Sequence, residues 1–231
     1  MKGALIVIDG GDGSGKATQA RMLLDYCKKH IVPFAYLDFP QYDKFFGKLV
    51  GTYLRGELGE LKAVSPYLAA LPFALDRFSQ RKAIQREIDA GKLVIANRYV
   101  TSNIAYQAAR FDKPEEAKDQ EHLIAWIEEL EYRFLQLPKE NLVVYLHVDP
   151  TIAKQLTLKK NGRSYLNGKK EDIHEKSHTY RDSVNKLYEK LYKRYDHWEK
   201  IECTKNGTIR SKEEILEEII AILKEKKYIS I

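Results

Sequence analysis

"IDGGDGSGKATQA", residues 8–20, decides the fold of this 231-residue chain. Gly10, four further residues and then Gly15-Lys16 follow directly on an apolar stretch, 4–8. Glycines carry no Cβ, so backbone N–H groups can turn inward and approach an anion closely. Residues 17–29 place Ala20, Leu23, Leu24 and Cys27 on one face, which is helical spacing. A helix starting there points its positive end at the same anion. Lys16 adds a mobile cation for the outer phosphates. A buried strand, a glycine-rich turn and an amphipathic helix in this order predict a phosphate-binding loop. One residue is out of pattern: Ala17 stands where such loops carry a Ser or Thr whose hydroxyl holds magnesium.

Outward from the loop, apolar runs alternate with helix-period segments. Strands are predicted at 34–39 (closed by Pro40), 92–97 and 142–148, with a short last one at 200–203. Ser65-Pro66 opens a helix predicted to run to 89. Further helices are predicted at 101–111 and at 115–136, the latter with Leu123, Ile127, Leu130 and Phe134 on one side. Another starts near 151. Val184, Tyr188, Leu191, Tyr195 and Trp198 then recur at helical steps, and a last helix covers 211–225. Nearly all-apolar strands between helices imply a parallel sheet covered on both faces, with ligands at the strands' carboxyl ends. The expected fold is therefore α/β: a three-layer, P-loop NTP hydrolase-like fold with a five-stranded parallel sheet and a short lid.

Composition fits one domain over 1–231, with 44% apolar and 31% charged residues. The net charge of +6 favours anionic partners. Cys27 and Cys203 make neither a disulfide framework nor a zinc pattern, as in a reduced cytoplasmic protein. No apolar run reaches the roughly 18 residues of a membrane span, and Met1-Lys2-Gly3 leads straight into a strand without a leader. The chain lacks a recognition-helix or zinc motif, which argues against nucleic acid as a partner.

At this point the chain resembles the thymidylate kinases. "GGDGSGKATQ" is similar to their phosphate loop, with an Asp ahead of the Gly-Lys pair. "LDFPQY" (37–42) resembles the second-strand motif, and "FALDR" (73–77) the nucleobase-binding helix. "NRYVTSNIAYQ" (97–107) resembles the Asp-Arg-Tyr/His motif with its following Ser and aromatic. The resemblance spans nearly the whole chain, in order.

It implies a dTMP kinase that moves the γ-phosphoryl of ATP onto dTMP with Mg2+, giving dTDP and ADP. Gly10, Gly11, Asp12, Gly13, Ser14, Gly15, Lys16, Ala17 and Thr18 would hold ATP. Phe73 would stack on a pyrimidine and Arg77 donate to its edge. Arg98 would bridge the acceptor phosphate. Asp12 would accept from the sugar 3′-hydroxyl, Tyr106 would exclude a ribose hydroxyl, and Ser102 and Gln107 would face the base. Members without an Arg in the phosphate loop carry one in the lid. With Gly13 in that place, Arg163 is the candidate in the basic lid at about 158–172. Members are homodimers packed through helices on one sheet face, here 65–89 and 101–111.

Three residues depart from the pattern. Ala17 lacks the magnesium hydroxyl, Asn97 replaces the family's Asp, and Tyr42 stands where some members have a phosphate-binding Arg. The first two changes are expected to be coupled: less metal anchoring alongside less negative charge. The metal ligands stay unassigned. The open alternatives are a kinase for another deoxynucleotide or a deoxynucleoside, and a nucleotide-binding protein with weak or no turnover.

Overall fold

The computed structural model describes residues 3–158, 164–166, 172–174 and 177–230. β1 (Ala4–Asp9), β2 (Phe34–Asp38), β3 (Leu93–Asn97), β4 (Leu142–His147) and β5 (Trp198–Glu202) form a parallel sheet ordered β2-β3-β1-β4-β5. This is the expected five-stranded arrangement. The chain winds from β1 out to β2 and β3 on one side, then to β4 and β5 on the other. The reversal falls beside β1, where α/β sheets bind their ligands.

Alternation along the strands feeds two cores. Ile6, Ile8, Ile95 and Val144 pack under α1 (Lys16–Lys29) and α9 (Lys212–Glu225), against Leu23, Cys27, Ile219 and Leu223. Leu5, Val7, Val94 and Val143 face the other way. There they meet α3 (Pro66–Ser79), α5 (Val100–Ala108), α6 (Ala117–Glu128) and α8 (His178–Arg194). Ser211 caps α9 in a reciprocal box with Glu214, which satisfies two otherwise orphaned N–H groups.

The structure corrects the predicted elements in several places. A helix absent from the sequence reading, α2 (Phe45–Leu54), packs Val50, Tyr53 and Leu54 against Ala69 and Ile173 in a third, smaller core. The predicted 65–89 helix is two helices. At Gln80 (φ −100°, ψ −2°) the chain turns, with the Ser79 hydroxyl donating to the Asp76 carbonyl and Gln80 N–H to Arg77. The turn lets Ile84 of α4 (Arg81–Asp89) reach the core. Trp198 opens β5 rather than closing a helix, because the backbone is already extended at Tyr195. The two rings still stack, 6.0 Å between centroids, so their recurrence reflects a shared core and not a shared helix.

Past α6 the chain makes a π-helical turn over Glu129–Phe134. An extra residue in the turn rotates the register. Phe134, expected inward, is 69% exposed, and Glu131 is fully buried instead. α5 is buried along its whole length, so it has no free face for a dimer. Among the described residues no helix is long and apolar enough to cross a membrane.

Candidate active site

The loop after β1 has the predicted shape. Gly10, Gly13 and Gly15 all take positive φ, and Gly15 serves as N-cap of α1. At Gly10 close approach matters too, since a Cβ would sit 2.5 Å from the Leu146 carbonyl oxygen. Lys16 is only 7% exposed. Its Nζ donates to the carbonyls of Gly10 (2.8 Å) and Gly11 (2.7 Å), so the ammonium lies across the loop. Gly15 and Ala17 are open to solvent and Thr18 is half-buried. A ligand can therefore reach the helix's first N–H groups.

Asp9, at the end of β1, ties this loop to the opposite layer. Its buried carboxylate accepts from Gly10 N–H (2.8 Å), Ser102 Oγ (2.7 Å), Tyr188 Oη (2.8 Å) and Thr101 Oγ1. Four donors spread the anion's charge over hydrogen bonds. The sequence reading passed over Asp9. Its signal was an acid closing an otherwise apolar strand. Ser102 is thus engaged with Asp9, although it also lines the neighbouring pocket.

That pocket gathers Asp12, Phe73, Arg77, Arg98, Ser102, Tyr106 and Gln107, every residue predicted to touch the acceptor. Arg98 has φ +64°, unusual for a residue with a side chain. Its N–H bonds the Ile8 carbonyl, which fixes the strained turn and aims the guanidinium along the strand ends. Arg98 pairs with Asp12 (2.5 Å), reaches Ser102 Oγ (3.4 Å) and lies 5.2 Å over the Tyr106 ring.

At the far end Arg77 is buried, not a surface charge. Its Nε and Nη2 donate to Glu131 Oε2 and Oε1, both at 2.6 Å. Burial opposes the guanidinium's charge, but the Glu131 carboxylate outweighs it and holds the pKa above the ordinary value. The π turn is what brings Glu131 here, and helical periodicity could not have shown it. Glu131→Gln would leave a buried arginine uncompensated. It is expected to cost about 3 kcal/mol of stability, read by urea unfolding, and to weaken binding in the pocket that Arg77 lines.

Three buried polar atoms lining this pocket have no partner among the described residues: Asn103 Oδ1, Gln107 Nε2 and Tyr106 Oη. Asn103 donates Nδ2 to Ala70 O (3.1 Å) and Glu131 Oε1 (2.8 Å), which sets its amide orientation and leaves Oδ1 without a partner. Gln107 Oε1 accepts from Arg110 (3.4 Å), leaving Nε2 without one. Arg77 Nη1 has no acceptor among the described residues. With the Tyr106 hydroxyl aside, Arg77 Nη1 and Gln107 Nε2 offer two donors and Asn103 Oδ1 one acceptor to whatever lies on Phe73.

Arg163 and the basic residues of the predicted lid lie outside the described residues. Tyr165 and Asp172 of that stretch, and His174 just past it, do line the pocket. The Tyr165 ring stacks on Tyr42 at 4.1 Å, and Ile173 N–H bonds Leu54 O (2.9 Å). His174 faces Phe73 (6.5 Å, 17°) and Tyr106 (5.3 Å, 24°). A cavity of about 70 Å3 remains among these side chains. That is smaller than the roughly 150 Å3 of a cavity known to take up benzene.

Burial pushes the His174 imidazole down to about 3, with Arg110 and Arg98 adding to the shift and Asp12 opposing it. A depressed imidazole pKa means the unfolded chain binds the proton more readily. The His174 contribution is complete above about pH 6.5 and is lost as pH falls from there toward 3. Between pH 7 and pH 5 we expect His174→Gln to lose less stability in urea than the unaltered chain, by at most about 2 kcal/mol.

Two of the sequence departures lie on the α1 face of the sheet. Asn97 ends β3 opposite Ile8 of β1 and Asp38 of β2. Its Nδ2 donates to Asp38 Oδ1 (2.8 Å), and its buried Oδ1 has no partner. An orphaned oxygen beside the phosphate loop suits a hydrated Mg2+, which prefers oxygen ligands and keeps its waters. Ala17 offers nothing to such an ion.

A family model described as thymidylate kinase matches residues 8–219. A thymidylate kinase of Mycobacterium tuberculosis is 33% identical over 189 residues, 81% of this chain and 85% of that one. One from Caenorhabditis elegans is 33% identical over 163 residues, 67% of each chain. The solved structure of thymidylate kinase from Candida albicans superposes with a TM-score of 0.75 over 98% of this chain and 93% of that one. At 23% identity that likeness speaks for the fold.

Proposed function

The chain belongs to the thymidylate kinase family and phosphorylates dTMP with ATP as donor, and we propose that it does so by holding ATP on the loop 10–18 and dTMP between Phe73 and Arg98. The observation that carries the acceptor assignment is the group of polar atoms at the base end of the pocket: the Arg77 Nη1 that Glu131 does not take, with Asn103 Oδ1 and Gln107 Nε2, which have no partner. Two donors and one acceptor complement the two carbonyls and one N–H of a thymine or uracil edge. Cytosine offers one donor and two acceptors in another order, and a buried mismatch of that kind is costly.

Phe73 stacks on the ring, and Tyr106 fills the space beside C2′. Ser102 acts through Asp9 and Arg98, not on the base alone. Arg98 holds the acceptor phosphate, and Asp12, already paired with Arg98, is placed to take the 3′-hydroxyl. An oxygen of the dTMP phosphate attacks the γ-phosphorus, and the bond to the β–γ bridging oxygen breaks. ADP leaves with that electron pair. The attacking oxygen is already anionic, so no strong base is required. Lys16 and Arg98 offset charge in transit, as does Arg163 of the lid, and lid closure excludes water. Mg2+ supplies charge neutralisation on the donor's phosphates, and Asn97 is the residue positioned to accept from one of its waters.

We further propose one domain, a cytoplasmic setting and a homodimer. The exposed Leu68 and Phe78 of α3, with Phe134 of the π turn, support α3 as the dimer face. α5 is excluded by its burial. Sedimentation of Leu68→Glu against the unaltered chain tests that face: a shift to monomer supports it.

Turnover assays with dTMP, dUMP, dCMP and thymidine over a magnesium series test the reading. We expect dTMP first, dUMP next and dCMP at least about 10-fold lower. Thymidine offers Arg98 no phosphate and should not turn over. Equal rates for dCMP and dTMP would overturn the base assignment.

A further inference from the structure

Position 97 carries an amide where the resemblance leads one to expect a carboxylate, yet a carboxylate is present 2.8 Å away on the next strand. Asp38 pairs directly with Asn97 in the β2–β3 register, and both end their strands on the α1 face. Tyr36, two residues before Asp38 on the same strand, lies within electrostatic reach of both side chains. Asn97 is 7% exposed and its Oδ1 has no partner, whereas Asp38 is open to solvent. A neutral oxygen and an exposed charge thus stand together at the ends of β3 and β2, the first of them opposite Ile8 of β1, which leads into the phosphate loop.

We propose that Asp38 is the positioning residue for the nucleotide-bound divalent cation, its charge having moved from β3 to β2 while Asn97 orients it. The inference rests on the Mg2+ reading above. Asn97 Nδ2 fixes one Asp38 oxygen, and Asn97 Oδ1 accepts from a water of the ion. Asp38 acts through water as well, since its strand end lies one position further along the sheet edge from the loop. This also explains why Asn97 is tolerable opposite an acid. Two carboxylates at 2.8 Å would repel, and one would take up a proton. The expected coupling of Ala17 and Asn97 is then incomplete, because the charge missing at 97 is present at 38.

The test is a charge exchange read by binding. Calorimetry gives the affinity for a non-hydrolysable ATP analogue with and without Mg2+, and the ratio is the enhancement due to metal. Mn2+ electron paramagnetic resonance reports the bound ion independently. Asp38→Asn is expected to reduce the enhancement about 10-fold, the scale for loss of an outer-shell carboxylate. Metal-free affinity should stay the same or tighten. Asn97→Asp in the Asp38→Asn background is expected to restore the enhancement to within about 3-fold, and Asn97→Asp alone to destabilise the fold. An unchanged enhancement in folded Asp38→Asn, or failure of the exchanged pair to restore it, overturns the assignment of Asp38. No enhancement in the unaltered chain overturns the metal reading, and this inference with it. Metal-free binding of the analogue reports separately on the phosphate loop.

Discussion

Arg98→Ala is expected to lower kcat/KM for dTMP about 10^3-fold, the largest single effect in the pocket. Three consequences combine. The guanidinium proposed to bridge the acceptor phosphate is lost. The Asp12 carboxylate, now paired with it at 2.5 Å, is left facing that phosphate and repels it. The Tyr106 ring also loses the cation above it, 5.2 Å away. Arg98→Lys should recover little, because a lysine ammonium cannot bridge two oxygens in the plane of a guanidinium. Folding should survive, since the left-handed backbone at position 98 is a cost that a smaller residue bears no worse. A normal melting curve with a lost rate is the expected pair of results. A loss under about 10-fold would remove Arg98 from the acceptor site.

Lys16→Met is expected to lower kcat about 10^2- to 10^3-fold, with a smaller effect on dTMP binding. Met keeps the length of the apolar stem while deleting the charge. In the structure that charge lies against the Gly10 and Gly11 carbonyls, across the loop. Bound polyphosphate would draw it outward, and the energy gained grows as negative charge accumulates between donor and acceptor. A variant that keeps its rate but binds ATP weakly would mean that Lys16 serves the ground state alone.

The parts of the fold and the site that follow local rules could be read from the sequence. The strand, glycine loop and helix at 4–29 announce themselves because positive φ calls for glycine and burial calls for apolar residues at fixed steps. The pocket residues 73, 77, 98 and 106 fall at helix and strand-end spacings, so one resemblance placed them all. What escaped depends on geometry that local spacing does not encode. α2 carries two glycines among its ten residues and few polar ones, so its pattern matched neither template well. The π turn moved Glu131 inward against the 3.6-residue period. Asp9 and Asn103 act through partners roughly 30 to 180 positions away. Asp38 becomes meaningful only when β2 is laid beside β3, since the two strand ends are 59 residues apart in sequence. The break at Gln80 needed the tertiary contact of Ile84 to become apparent.

A crystal structure with adenosine and thymidine joined through five phosphates probes both halves of the site in one experiment. The phosphates are expected on the N–H groups of residues 13–18, the thymine on the Phe73 ring within reach of Arg77, Asn103 and Gln107, and the acceptor-side phosphate on Arg98. Thymine bound anywhere outside that pocket, or a polyphosphate that avoids the loop after β1, would contradict the assignment of both substrates.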